Sequence, residues 1–382
     1  MKINHDEQQA SPDVQKPEGS RSETSRRQFL QFSAAAAAAV SAVAAGSLFP
    51  SAAVADDDVY IAGAGKRPAW APTKYLVNCH VHLGSGPTAQ ELAPTIHSAA
   101  DWGALRTSQP EKFAKMTSED AVDDSAILLG AMDRYGVTHA ILQTAPGKGT
   151  SNQMVLDAAK KSNGRFIPIY RPEAISNAAA RGTLGLDYGD EISKVVRQIA
   201  DELMSPAMSA TRGVGEIVPI TTELHPIKIA RDMAPIMEVL KARGDLSIQF
   251  PTGYSGWKGV HYYIFSPIWV DELAANFPTV PIILTKMGRG IQASYDACLS
   301  VAMRNANVYF DMTDTTAEHL RHAISIIGSE RIMYGSDLST IASNHAILDN
   351  LRTAIEARLS AEERENIAWK TANQVYKIGL KG

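Results

Sequence analysis

The chain has 382 residues, 45% of them hydrophobic and 20% charged, with a formal net charge of −4. That balance supplies ample core and shows no basic stripe, which argues against a nucleic-acid partner. Two cysteines are too few for a disulfide framework.

Residues 1–55 read as an export segment outside the fold. Arg26 and Arg27 precede Phe29 and Leu30, a weakly hydrophobic Ala-rich stretch follows, and Ala53-Val54-Ala55 stands before an acidic run. This is the pattern of a twin-arginine signal with an A-x-A cleavage site. The alternative is a membrane anchor, but the Ala, Ser and Gly content between Phe29 and Leu48 makes a poor one. The expectation is a protein exported to the periplasm or beyond, with one domain over 56–382 and no stable membrane insertion after signal removal. Such a route carries folded proteins, often around a cofactor, which favours a bound metal.

Past the signal, eight β-rich runs alternate with helical segments. The runs cover 75–82, 137–144, 165–170, 212–220, 246–252, 280–286, 307–312 and 331–337. The first run, ending in "VNCHVHL", is followed by an insertion from Leu83 to about Asp124 that carries Pro87, His97, Trp102 and Arg106. In a barrel this insertion would form part of a lid over the C-terminal mouth. Helices follow in "DSAILLGAMDRYG", "SNQMVLDAAKKSNG" and "IARDMAPIMEVLKARG", each stopped by glycine, and in "SPIWVDELAANFP", with a Ser cap and an early proline. Nearly continuous apolar strands alternating with helices predict an α/β protein with a closed parallel (β/α)8 TIM barrel. A doubly wound open sheet is the rival. No glycine-rich phosphate turn follows the first strand, which favours the barrel.

The polar residues collect at strand C-terminal ends. Alternate residues of a strand share a face, so Asn78, His80 and His82 point the same way and Cys79 points the other, as a buried free thiol. Two imidazoles at this spacing can bind one metal ion, or can simply be satisfied by hydrogen bonds. Asp337, in "RIMYGSDLS", would face the same mouth from the eighth strand, which neighbours the first, unless it caps the following helix. His, His and Asp form a mixed site suited to zinc, with manganese or iron as alternatives.

The H-x-H of the first strand, "GSDLS" on the eighth, "LLGAMDRYGVTHAILQ" and "RFIPIYRPE" resemble the amidohydrolase superfamily. The nearest branch is the amidohydrolase-related one, which includes aminocarboxymuconate-semialdehyde decarboxylase. The resemblance spans roughly Tyr75 to Leu380. It implies a metal at the barrel mouth that activates water or polarises a substrate oxygen. Family members usually end the fifth and sixth strands in histidine. Here Pro251 and Lys286 stand in those places, and Asn78 stands where an aspartate often precedes H-x-H. Glu216, in "GVGEIVP", resembles a glutamate that related metallohydrolases use as a ligand; its alternative is a salt bridge in the mouth. Lys286 can bind a substrate carboxylate, act as a base if burial depresses its pKa, or pair with Glu216 or Asp337 in a metal-free site.

The predicted metal set is therefore His80, His82, Glu216 and Asp337, with Asp337 and Lys286 catalytic. Tyr254, Trp257, His261 and His345 are candidates to line a substrate pocket, joined by Tyr262 and Tyr263 as aromatic wall. His139, His319 and His322 read as structural. The expected function is metal-dependent hydrolysis of a C–N or C–O bond in a small molecule. A non-oxidative decarboxylase is the first alternative, and a degenerate metal-free barrel that binds a ligand is the second. Homo-oligomerisation is left open by the sequence.

Overall fold

The computed structural model describes residues 74–145, 148–172, 192–221, 223–254 and 262–382. Eight parallel strands run in chain order: β1 Val77–Leu83, β2 His139–Thr144, β3 Phe166–Pro168, β4 Gly213–Val214, β5 Ser247–Pro251, β6 Ile282–Thr285, β7 Val308–Asp311 and β8 Ile332–Met333. They form one ladder β1-β2-β3 and another β4-β5-β6-β7-β8. Single parallel bridges join the two, Tyr170 with Val214 and Val81 with Leu338. The Tyr170 N–H donates to Gly213 O at 2.8 Å, the Cys79 N–H to Tyr334 O at 2.9 Å, and the Leu338 N–H to His80 O at 3.1 Å. The ring of strands is thus a TIM barrel, with β8 feeding directly against β1.

A strand falls at each predicted run, β1 reaching one residue past its run, and every strand is shorter than its run. The largest shortfall is β4. Beyond Val214 the chain still bonds its neighbours, with the Ile217 N–H donating to Gln249 O at 3.0 Å.

The helices follow from apolar spacing and end chemistry. Ile192–Met204 buries Ile192, Val196, Ile199, Ala200 and Leu203, one stripe of a 3.6-residue period. Ser125–Tyr135 and Pro226–Arg243 end at Gly136 and Gly244, both left-handed as a glycine stop requires. Two details differ from expectation. Asn152–Lys161 stops at Ser162, before Gly164, although Ser151 caps its start by accepting from the Met154 N–H at 3.2 Å. Ser266 makes no side-chain cap, and the chain after it first forms the 3-10 turn Pro267–Trp269.

The insertion after β1 folds into the helices Pro87–Leu92, Ala99–Ser108 and Pro110–Ser118. Its ends are pinned. The Val122 N–H donates to Ser85 O at 3.1 Å, and Asp124 accepts from the Gly84 N–H at 2.8 Å and from the Thr340 hydroxyl. It is therefore fastened to the segment that follows β8.

Candidate metal centre

The centre is built from the C-terminal ends of β1, β4, β6, β7 and β8. His80 and His82 come from β1, where every residue is buried. Asp337 lies four residues past Met333. Its φ is +53°, a left-handed conformation that costs a non-glycine residue about 1–2 kcal/mol. Lys286, at φ +66°, opens the turn after β6, followed by Met287 at +43° and Arg289 at +54°. Unfavourable backbone at these two strand ends is the sort of strain that collects at functional sites. Asp337 does not cap the following helix; its side chain turns inward.

His80 Nε2 lies 3.1 Å from His82 Nε2, His82 Nε2 lies 3.1 Å from Asp337 Oδ1, and His80 Nε2 lies 3.5 Å from the same oxygen. One ligand atom from each of these three residues falls within 4.8 Å of the others. Glu216 Oε1 is 3.6 Å from His80 Nε2. The Thr285 hydroxyl and Lys286 Nζ, the latter at 3.0 Å, both donate to Glu216 Oε1.

The outer nitrogens fix the tautomers. His82 Nδ1 lies 3.2 Å from Thr144 O, and a carbonyl only accepts, so Nδ1 carries the proton. His80 Nδ1 lies 2.8 Å from Asp311 Oδ2, a carboxylate that likewise calls for a proton on Nδ1. In their neutral forms both imidazoles therefore aim lone pairs at each other across 3.1 Å. That arrangement is repulsive unless a cation or a proton lies between them. The charge balance agrees. Three carboxylates, Glu216, Asp337 and Asp311, face one ammonium, Lys286, leaving two negative charges in a largely buried cluster. Such a deficit is costly without a compensating cation. The donor set thus fits a divalent metal, by tautomer and by charge.

Without the metal the protein draws in protons instead. Burial and Lys286 both work against charging His80, yet Glu216, Asp337 and Asp311 outweigh them and push its pKa up to about 10. Burial opposes the charge of Glu216 and Asp337, but Lys286 and His80 hold both carboxyls well below their ordinary values. Burial likewise opposes the Lys286 charge, and Asp337 and Glu216 reverse it, raising the pKa.

This corrects one expectation. Burial was to make Lys286 a base by depressing its pKa; its carboxylate neighbours keep it an ammonium. Its N–H groups donate to Glu216 Oε1 at 3.0 Å and Asp337 Oδ2 at 3.3 Å, and its ammonium lies 3.4 Å from His80 Nε2. Lys286 is a fixed internal cation.

The remaining candidates divide. Tyr254 lies beside the turn after β6: the Arg289 guanidinium stacks on its ring at 4.9 Å. His345 does not join the centre. Its Nδ1 pairs with Asp349 at 3.0 Å, one turn along the helix Ala346–Glu356 that it begins, and it bonds none of the metal-set residues. Trp257 and His261 lie outside the described residues, as do the side chains of Tyr262 and Tyr263. His139 sits edge-on to Tyr75, and His319 stacks on Tyr295 at 4.0 Å, both within the packing. Cys79 and Cys298 are buried free thiols. Asp311 was missed by the sequence reading, although a carboxylate closing an apolar strand was the same signal that marked Asp337.

A (β/α)8 barrel with histidines, carboxylates and a lysine gathered at its strand ends defines the class, a TIM-barrel protein with a metal-type centre. Residues 195–378 match the family model for amidohydrolases, a span that takes in Glu216, Lys286 and Asp337. Over that span the chain is similar to the amidohydrolases. Among solved structures, an uncharacterised TIM-barrel protein from Bordetella bronchiseptica is similar at 14% identity and a TM-score of 0.51, over 80% of this chain and 99% of that one. Another is dihydroxybenzoic acid decarboxylase from Polaromonas sp. JS666 with bound manganese and the inhibitor 2-nitroresorcinol. It is 15% identical with a TM-score of 0.50, over 81% of this chain and 98% of that one. No curated protein matches the sequence.

Proposed function

We propose that this chain is a metal-dependent hydrolase that cleaves a C–N or C–O bond of a small molecule. The observation that carries the reading is the set of facing lone pairs on His80 and His82, backed by Asp337 and Glu216. These residues would hold the metal. Imidazole and carboxylate ligands suit zinc first, then manganese or iron. A dication there supplies Lewis acidity and lowers the pKa of water. Asp337 is the most accessible of the set, with 29% of its side chain exposed against none of His80, so substrate approaches from its side. Asp337 is the group placed to accept a proton from the attacking nucleophile and pass it to the leaving group. Lys286 keeps Glu216 and Asp337 ionised for their roles.

The test is a panel of amides, esters and lactones turned over in H₂¹⁸O by the protein reconstituted with zinc or manganese. Label in the product acid supports hydrolysis. Release of CO₂ from an aromatic or unsaturated acid, with no label, would assign non-oxidative decarboxylation instead.

We propose further that residues 1–55 direct twin-arginine export and that 56–382 is the working domain in the periplasm or outside the cell. The paired Arg26 and Arg27 before the Ala-rich stretch support this. Arg26→Lys together with Arg27→Lys should retain the protein in the cytoplasm; unchanged fractionation would refute the assignment.

A further inference from the structure

We propose that Arg289 receives a carboxylate of the substrate, so that the hydrolase acts on a small organic acid anchored by that group at the edge of the metal centre. This rests on the hydrolase reading above and narrows it.

The inference starts from the turn after β6. Its two cations have different jobs. Lys286 faces inward and donates to Glu216 and Asp337. Arg289 stands three residues on, with its own N–H donating to Lys286 O at 2.6 Å, so both heads leave one tight turn. A guanidinium has five N–H donors. Nε faces Asp314 Oδ2 at 3.1 Å, and Nη1 donates to Tyr254 O at 3.2 Å. Three donors, two on Nη2 and one on Nη1, have no partner among the described residues.

The head is also held in place. The Tyr254 ring covers it at 4.9 Å and Asp314 fixes its Nε edge. An arginine pinned on two sides loses little freedom when it binds a planar partner. Yet 30% of its side chain is exposed, much as for Asp337 at 29%, so both meet solvent. Burial works against its charge, but Asp314 and, further off, Asp337 and Glu216 sustain it.

The acid is a carboxylic one for two reasons. The guanidinium fork matches the two oxygens of a carboxylate. The surroundings already hold Asp311, Asp314, Asp337 and Glu216, so a singly charged group meets less repulsion than a dianionic phosphate.

Benzoate and benzamide serve as probes, alike in ring and differing in charge. Their binding to the metal-reconstituted full chain is measured by calorimetry, with metal content measured on the same sample. Benzoate should bind about tenfold or more tightly than benzamide, and Arg289→Gln should remove that preference while leaving benzamide unchanged. Arg289→Lys keeps the charge and the Asp314 pair but not the fork. It should weaken benzoate several-fold, and it serves as the reading if the glutamine variant does not fold. Equal binding of the two probes overturns the proposal. So does a benzoate preference that survives Arg289→Gln, since the anion would then be held elsewhere. Absence of metal in a folded sample would refute the hydrolase reading instead, and the probe comparison would still report on Arg289.

Discussion

Asp311 ties three groups to one carboxylate. Oδ2 takes His80 Nδ1 at 2.8 Å, while Oδ1 accepts from the Lys286 N–H at 2.8 Å and the Thr313 N–H at 3.0 Å. It therefore orients a metal-facing imidazole and the turn that delivers Lys286. Asp311→Asn should leave a soluble fold and weaken metal binding about 10–100-fold, the usual cost of losing such a partner. Competition against a chromophoric chelator would measure it, and an unchanged affinity would remove Asp311 from the account. Lys286 makes the opposite prediction. An ammonium and a dication compete for Glu216 and Asp337, at roughly 4 kcal/mol per unit-charge pair at 4 Å with an effective dielectric near 20. Lys286→His should tighten metal binding and lower the melting temperature of the metal-free protein, because two partly buried carboxylates lose their compensation. If neither quantity moves, the ammonium is not coupled to the site.

The elements that make this possible are short and closely set. Strand β8 approaches β7 because Gly335 has no side chain. A Cβ there would stand 2.7 Å from Thr313 Oγ1 and 3.1 Å from the Asp311 side chain. Gly335→Ala should cost about 1–3 kcal/mol by overpacking. It should also weaken metal binding, because Asp311 is one of the groups displaced. Thermal melting with and without metal separates the two effects, and a melt unchanged in both states would show that β8 can yield. The eight strands were readable from the sequence because each is an apolar run between helical segments. The pairing of His80, His82 and Asp337 was readable too, since β1 and β8 adjoin in any closed ring. What sequence could not show is the direction of side chains in irregular turns. The sequence offered Lys286 as a partner of Glu216 or Asp337, and it pairs with both, but nothing in "LTKMGRG" marks Arg289 as a second cation beside it. Nor does "ASNHAIL" say that His345 is claimed by Asp349 on its own helix.

At the scale of the whole molecule, stability and metal binding are linked through protons. His80 has a pKa raised to about 10 in the metal-free protein. A raised pKa contributes stability that is complete below the ordinary value of 6.5 and is lost as pH rises through about 10. Glu216 and Asp337 have lowered pKa values, so their contribution is present above the ordinary carboxylate range and is lost as pH falls through their depressed values. The metal-free fold should accordingly be most stable from about pH 5 to 6. Metal must displace the His80 proton. Apparent affinity should therefore rise by up to about tenfold per pH unit from roughly pH 7 to 9, and a flat profile would contradict the linkage. Residues 1–55, proposed above as an export signal, lie outside the described residues. The most direct measurement is the metal content of the purified chain and of its His80→Ala and Asp337→Ala variants. The account predicts one tightly held dication per chain, absent from both variants while each still melts cooperatively. A folded wild-type chain that takes up no zinc, manganese or iron, even when these are supplied, would contradict it.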